Sequence, residues 1–159
     1  MVTGLTQAGV HFVVIGGVAA RVHGSPRITE DLDICYDPNP PNAARLAELL
    51  AAWHAYPRGV EPNLPFIMDA RTLKAVPVMT LTTDQGEIDL FDAVSGVGAY
   101  EGVLRASVEV AANGLRFRAL DLPGLLQAKA AARRPKDLDQ IPELEALLEL
   151  RQRGRKGGG

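Results

Sequence analysis

Two acids set two residues apart, Asp31 and Asp33, are the residues of this chain best suited to do chemistry. They alternate with Leu32 and Ile34, so on a strand both carboxylates project from one face while the apolar pair turns to the core. Like charges held that close raise one another's pKa unless something positive sits between them. A divalent cation meets that need, and oxygen-only donors favour a hard ion, Mg²⁺ or Mn²⁺. The same alternation returns at Glu87, Ile88, Asp89 and Leu90, with Glu87 and Asp89 on one face. Upstream, Val13, Val14 and Ile15 run into Gly16 and Gly17, where the missing Cβ lets the backbone turn tightly and approach a ligand. Residues 18–23 are helical in composition, and a helix starting there aims free N–H groups and partial positive charge at the turn, as suits a phosphate. Arg27 and Thr29 lie on the approach to the acids. A guanidinium there clamps phosphate oxygens or pairs with Glu30 or an aspartate.

Taken in order, Gly16–Gly17, the helical interval 18–30, Asp31–Ile34 and Glu87–Leu90 resemble the signature of the polymerase-beta-type nucleotidyltransferase superfamily. The stretch from Gly16 to Ile34 is most similar to small bacterial AbiEii/MenT-type toxins and more distantly to the minimal antibiotic nucleotidyltransferases. The resemblance is strong over the first ninety residues or so and weak in the tail. It implies an α/β (α+β) nucleotidyltransferase fold, a mixed sheet flanked by helices with further helices at the C-terminus. It implies that Asp31, Asp33 and Asp89 are catalytic and hold two Mg²⁺ (or Mn²⁺) ions, with Asp89 taking the acceptor's proton. Gly16, Gly17, Arg27, Thr29 and Lys129 would bind the NTP, Lys129 leading the series Arg134, Lys136, Asp137. The implied reaction moves NMP from an NTP to a hydroxyl on a tRNA end or protein side chain, with a cognate antitoxin as partner. A chain this short lacks an obvious acceptor-recognition domain, so a homodimer or a partner chain is expected to complete the site. The antibiotic-type relatives imply a small-molecule acceptor instead, and a non-catalytic nucleotide-binding or interaction module is the remaining alternative.

The elements that must position these residues follow from periodicity and punctuation. Residues 1–9 suit a short helix closed by Gly9, and residues 11–15 a central strand buried on both faces. Pro26 stops the first long helical segment. Leu46, Leu49, Leu50 and Trp53 lie on one face of a helix expected over 43–54, capped by Asn42 and packed on the sheet. Residues 56–65 read as a loop or lid and 66–68 as a short strand. The stretch 76–82, with Pro77 hinting at an edge, pairs through the turn 84–86 with 87–92. Asn113 and Gly114 turn a last hairpin, on which Arg116 and Arg118 share a face. A helix begins near Pro123, and another ends near Leu150. His23 reads as a helix-end or surface residue, and the single cysteine, Cys35, as core packing.

At 159 residues the chain suits one domain over 1–150, followed by a disordered basic, glycine-rich tail at 151–159. A net charge of −2 gives no whole-chain attraction to nucleic acid, so a polyanion would need a local patch. One cysteine excludes an intramolecular disulfide and a cysteine-rich metal site. No apolar run reaches the ~20 residues that span a bilayer and no leader is evident, which points to the cytoplasm. A Rossmann-like dinucleotide binder fits poorly, because the third glycine of its fingerprint is missing and the acids open their strand.

Overall fold

A computed structural model of the protein describes residues 1–158. Helix α1 (Val2–Gln7) is followed by Gly9 at φ 70° and by strand β1 (Phe12–Ile15), buried at every position. Helix α2 spans Gly16–Val22, two residues earlier than composition suggests. The reason is Gly16, whose φ of 62° turns strand directly into helix with no intervening loop. Strand β2 (Leu32–Tyr36) carries the acids' alternation, with Leu32 and Ile34 buried.

Helix α3 runs Pro40–Ala52 rather than 43–54, because Pro40 and Pro41 occupy its first turn where a missing N–H costs nothing. Asn42 is not its cap but a buried tie. Its side chain accepts from the His11 amide and donates to the carbonyls of His11 and Asp37. Trp53 is a packing residue, as expected, though the neighbour it lies against is Gly4 of α1. The expected loop contains a two-residue strand, β3 (Tyr56–Pro57), whereas no strand forms at 66–68, and Ile67 there is exposed. Asp69 caps α4 (Ala70–Lys74) by accepting from the Thr72 amide.

Strands β4 (Val78–Thr83) and β5 (Gly86–Phe91) form the expected hairpin. A small ribbon of β6 (Ala93–Val94) and β7 (Gly98–Ala99) leads into α5 (Tyr100–Arg105). Strands β8 (Ser107–Ala112) and β9 (Leu115–Leu120) pair across Asn113 and Gly114, both at positive φ, the conformation of a type I′ turn. On this hairpin Arg116 pairs with Glu109, and Arg118 donates to Ser107. Helix α6 (Leu122–Ala132), capped by Asp121, is joined by the short α7 (Pro135–Leu138) to α8 (Ile141–Lys156). Residues 151–156, expected to be disordered, continue α8. Arg, Gln and Lys are good helix formers, and one interior glycine, Gly154, costs only about 1 kcal/mol. Gly159 lies outside the described residues.

The seven-stranded sheet has the order β3-β4-β5-β2-β1-β9-β8. It is mixed, since β1 with β9 and β2 with β5 are parallel while the other neighbours are antiparallel. Leu5, Ile34, Leu46, Leu50, Ile88, Leu90, Leu125 and Leu144 are fully buried. Each such side chain contributes about 1.5–3 kcal/mol of burial. Cys35 is among the buried residues, and burial pushes its thiol up to about 12. His23 ends α2 as its C-cap, as one of its two readings expects, but it is buried and not on the surface, and its Nε2 lies 2.8 Å from the Leu120 carbonyl.

Candidate active site

Strand register builds the site. Ile15 is paired with Asp33, Asp33 with Asp89, and Asp89 with Thr80, so these four form one row across the sheet and share a face. Parallel pairing of β2 with β5 therefore brings residues 33 and 89 side by side from distant parts of the chain. Asp31 precedes β2 and joins them at the mouth of a cleft of about 340 Å³ lined by Asp31, Asp33, Asp89, Lys129, Arg134 and Lys136. Gly17, Arg27 and Thr29 border the same cleft. Gly16 closes over the acids, because a Cβ there would collide with the Asp33 carboxylate. At Gly17 a Cβ would stand 3.0 Å from the Thr29 side chain, so the two glycines give room to two different neighbours.

Of the sequence-predicted residues, Asp31, Asp33, Asp89, Gly17, Arg27, Thr29 and Lys129 meet at this cleft. Gly16 lines an adjoining hollow of about 290 Å³ that shares Asp33 and Lys129 with it. That second space is walled mainly by apolar side chains, Ile15, Val94, Leu125 and Ala128 among them. Arg27 is half-exposed and already engaged: its Nε lies 2.8 Å from Glu143, and its Nη2 donates to the Asp139 carbonyl. Thr29 donates to the Asp31 carbonyl.

The electrostatics divide by wall. Burial, then the charges of Asp89 and Asp31, pushes Asp33 up from 3.8 to about 6. Asp89 is likewise raised, by burial first. Facing them from α6 and α7, Lys129 Nζ lies 2.8 Å from Asp137 Oδ1, and Arg134 Nε lies 2.6 Å from Asp137 Oδ2. Asp137 has no exposed surface. Burial alone would raise its pKa, but the bonds from Arg134 and Lys129 outweigh that and hold it below the usual range. A buried carboxylate thus fixes two cations at the edge of the cleft.

Arg58 is the residue that sequence reasoning missed. Its guanidinium donates to Asp89 Oδ1 at 2.9 Å and lies 3.6 Å from Asp31 and 3.4 Å from Glu87. No signal marked it, since it follows a strand of only two residues inside a Pro- and Gly-rich stretch. Glu87, expected to share a face with Asp89, belongs to the same cluster, and its pKa is raised, first by a hydrogen bond with Asp31.

The donors fit a hard divalent cation in type, being oxygen only, and in charge, since Asp33 is crowded by two other carboxylates without enough positive charge to hold it down. In position they are not yet closed on one. Among the described residues no three acidic, histidine or cysteine side chains are gathered into a metal cluster, and two of the three acids face Arg58, Asp89 through a hydrogen bond and Asp31 as an ion pair.

A mixed sheet that sets a glycine turn beside two strand-borne acids, with a third leading into β2, has the fold of the nucleotidyltransferases. Three solved structures show the likeness. The lincosamide antibiotic adenylyltransferase LnuA, bound to lincomycin, matches with a TM-score of 0.58 at 14% identity, over 90% of each chain. An antigenic nucleotidyltransferase-like protein from Paracoccidioides brasiliensis matches at 0.53 and 17%, over 94% of this chain and 72% of that one. ANT(2″)-Ia in complex with adenylyl-2″-tobramycin matches at 0.51 and 12%, over 99% and 94%. None of the three is described as a toxin. No protein-family model and no curated protein matches the chain. Among the described residues no helix is long and apolar enough to cross a membrane.

Proposed function

We propose that this chain is a nucleotidyltransferase moving a nucleoside monophosphate from an NTP to a hydroxyl of a small-molecule acceptor. The observation that carries the reading is the meeting of Asp31, Asp33 and Asp89, from β5 and the start of β2, opposite Lys129, Arg134 and Lys136 in one cleft. A triphosphate is a polyanion, and the basic wall is the local patch that a chain of net charge −2 needs in order to hold it. Asp31, Asp33 and Asp89 would hold Mg²⁺ or Mn²⁺, which when bound neutralises phosphate charge and lowers the pKa of an acceptor hydroxyl.

This chain's own residues account for the rest. Lys129 and Arg134, oriented by buried Asp137, bind the phosphates as fixed charges, so little reorganisation is left to the reaction itself. Gly16 and Gly17 let the backbone come close without a side chain intervening. Asp89, its pKa raised by burial, is the base that receives the acceptor's proton. The apolar hollow beside Asp33 suits an acceptor with an apolar face better than a nucleic acid, whose backbone asks for cations. The shared fold with LnuA and ANT(2″)-Ia supports the same class of acceptor. A toxin-type role, with tRNA or protein as acceptor and an antitoxin as partner, rests on sequence resemblance alone.

The test is pyrophosphate release from each of the four NTPs, with Mg²⁺ or Mn²⁺, against a panel of polyhydroxylated small molecules with tRNA as a competing acceptor. A labelled small-molecule product that is lost in Asp33→Ala is the expected result. Release that persists in that variant would remove the acids from the chemistry, and labelling confined to tRNA would replace the small-molecule reading.

A further inference from the structure

Strand register places Arg58 within reach of the acids. Pro57 is paired with Leu81, and the Arg58 amide donates to the Thr80 carbonyl at 3.0 Å, so Arg58 extends the row that runs through Thr80, Asp89 and Asp33. Two strand spacings, roughly 10 Å, separate its backbone from that of Asp89, a span that an extended arginine side chain covers. The side chain lies over β4, where Nη2 also donates to the Leu81 carbonyl at 3.2 Å. It is 28% exposed, and its Nε is buried without a hydrogen-bond partner. A buried donor without a partner is costly, so the guanidinium is held there by charge rather than by complete hydrogen bonding. Beyond it, Gly59 at φ 78° opens an exposed stretch through residue 65, which leaves the arginine room to withdraw.

We propose that Arg58 is a built-in counter-cation of the acid cluster, and that a divalent ion and the Arg58 guanidinium occupy Asp89 and Asp31 in alternation. This rests on the reading of those acids as metal ligands. The metal affinity of the chain is then set by a competition inside the protein, and Arg58 is its determinant although it touches no metal. Asp89 accepts one strong charged bond from Arg58, and a metal ion must displace it.

Mn²⁺ binding to the full chain, followed by calorimetry and by the loss of free-ion electron paramagnetic resonance signal, tests this without any catalytic assay. Arg58→Gln removes the charge, and Arg58→Lys keeps it while losing the fork. Releasing one charge-assisted bond predicts roughly tenfold tighter Mn²⁺ in Arg58→Gln, with Arg58→Lys between it and the unaltered chain. Circular dichroism establishes that each variant is folded. Equal or weaker binding in folded Arg58→Gln overturns the competition and leaves the metal site standing. Absence of Mn²⁺ binding in the unaltered chain and both variants overturns the metal reading and the competition together. Should Arg58→Gln fail to fold, Arg58→Lys decides alone: tighter binding than the unaltered chain supports the competition, and equal or weaker binding overturns it.

Discussion

Asp33 is held at neutral pH in a charged state that its surroundings oppose. Its carboxyl titrates at about 6 when folded against 3.8 ordinarily, so between those values the folded chain binds more protons than the unfolded one. Stability then falls as pH rises through that window and is flat above it. The penalty at neutral pH is at most about 3 kcal/mol, less what solvent screening removes. Asp33→Asn is therefore expected to stabilise the metal-free chain at pH 7.5 while abolishing transfer, and urea melts at pH 4 and 7.5 will show whether the gain is confined to the higher pH. Asp137 behaves in the opposite sense. Its pKa is depressed by Arg134 and Lys129, so its stabilisation is present at neutral pH and is lost as pH falls through and below the ordinary carboxylate range. Asp137→Asn leaves Lys129 and Arg134 without their anion and should cost about 3 kcal/mol, read from the same melts at pH 7.

At the scale of elements, the β1–α2 junction leaves its first glycine little freedom. Gly16 combines a left-handed φ of 62° with contact against the Asp33 carboxylate, whereas Gly17 has an ordinary backbone and its nearest neighbour is the Thr29 side chain. Gly16→Ala should destabilise by about 1–2 kcal/mol from backbone strain alone and displace Asp33. Gly17→Ala should be the milder change, and comparing the two thermal melts tests the ranking. This junction was legible in the sequence because glycine next to a β-branched run has few other uses, and β2 and β5 were legible because acid and apolar residues alternate there. Pairing between β2 and β5 was not readable from period alone, since residues 37–85 intervene and only the resemblance joined Asp89 to Asp33. Arg58 escaped notice for a related reason. Strand β3 has two residues, too few to show any alternation, and it acquires meaning only when paired to β4. The N-terminus of α3 was misplaced because Asn42 looks like a cap, yet its amide is used to tie β1 to the segment after β2. The continuation of α8 was missed because glycine and charge suggest a tail, while propensity over Arg151–Arg153 carries the helix on.

Over the whole molecule, a net charge of −2 conceals two opposed walls, acids on the sheet and cations on α6 and α7. They must keep a fixed separation for a polyanion to lie between them. One carboxylate fastens them together. Glu143, in the first turn of α8, accepts from the Ser25 hydroxyl and from Arg27 Nε, and those bonds hold its pKa below the usual range. It thereby joins the segment that leads into Asp31 to the helix that follows Asp137. Removing a link that is partly buried at Ser25 and open to solvent at Arg27 should cost about 1–2 kcal/mol. The more telling effect is local. In Glu143→Ala, amide hydrogen exchange should quicken over residues 25–31 and in α7, while the β8–β9 hairpin, which supplies none of the hydrogen-bond partners of Glu143, keeps its protection. Glu143→Gln, which still accepts from Ser25, should fall between. Uniform loss of protection across the chain would mean that Glu143 supports the fold at large, and unchanged exchange at 25–31 would mean that the two walls are held apart by packing alone.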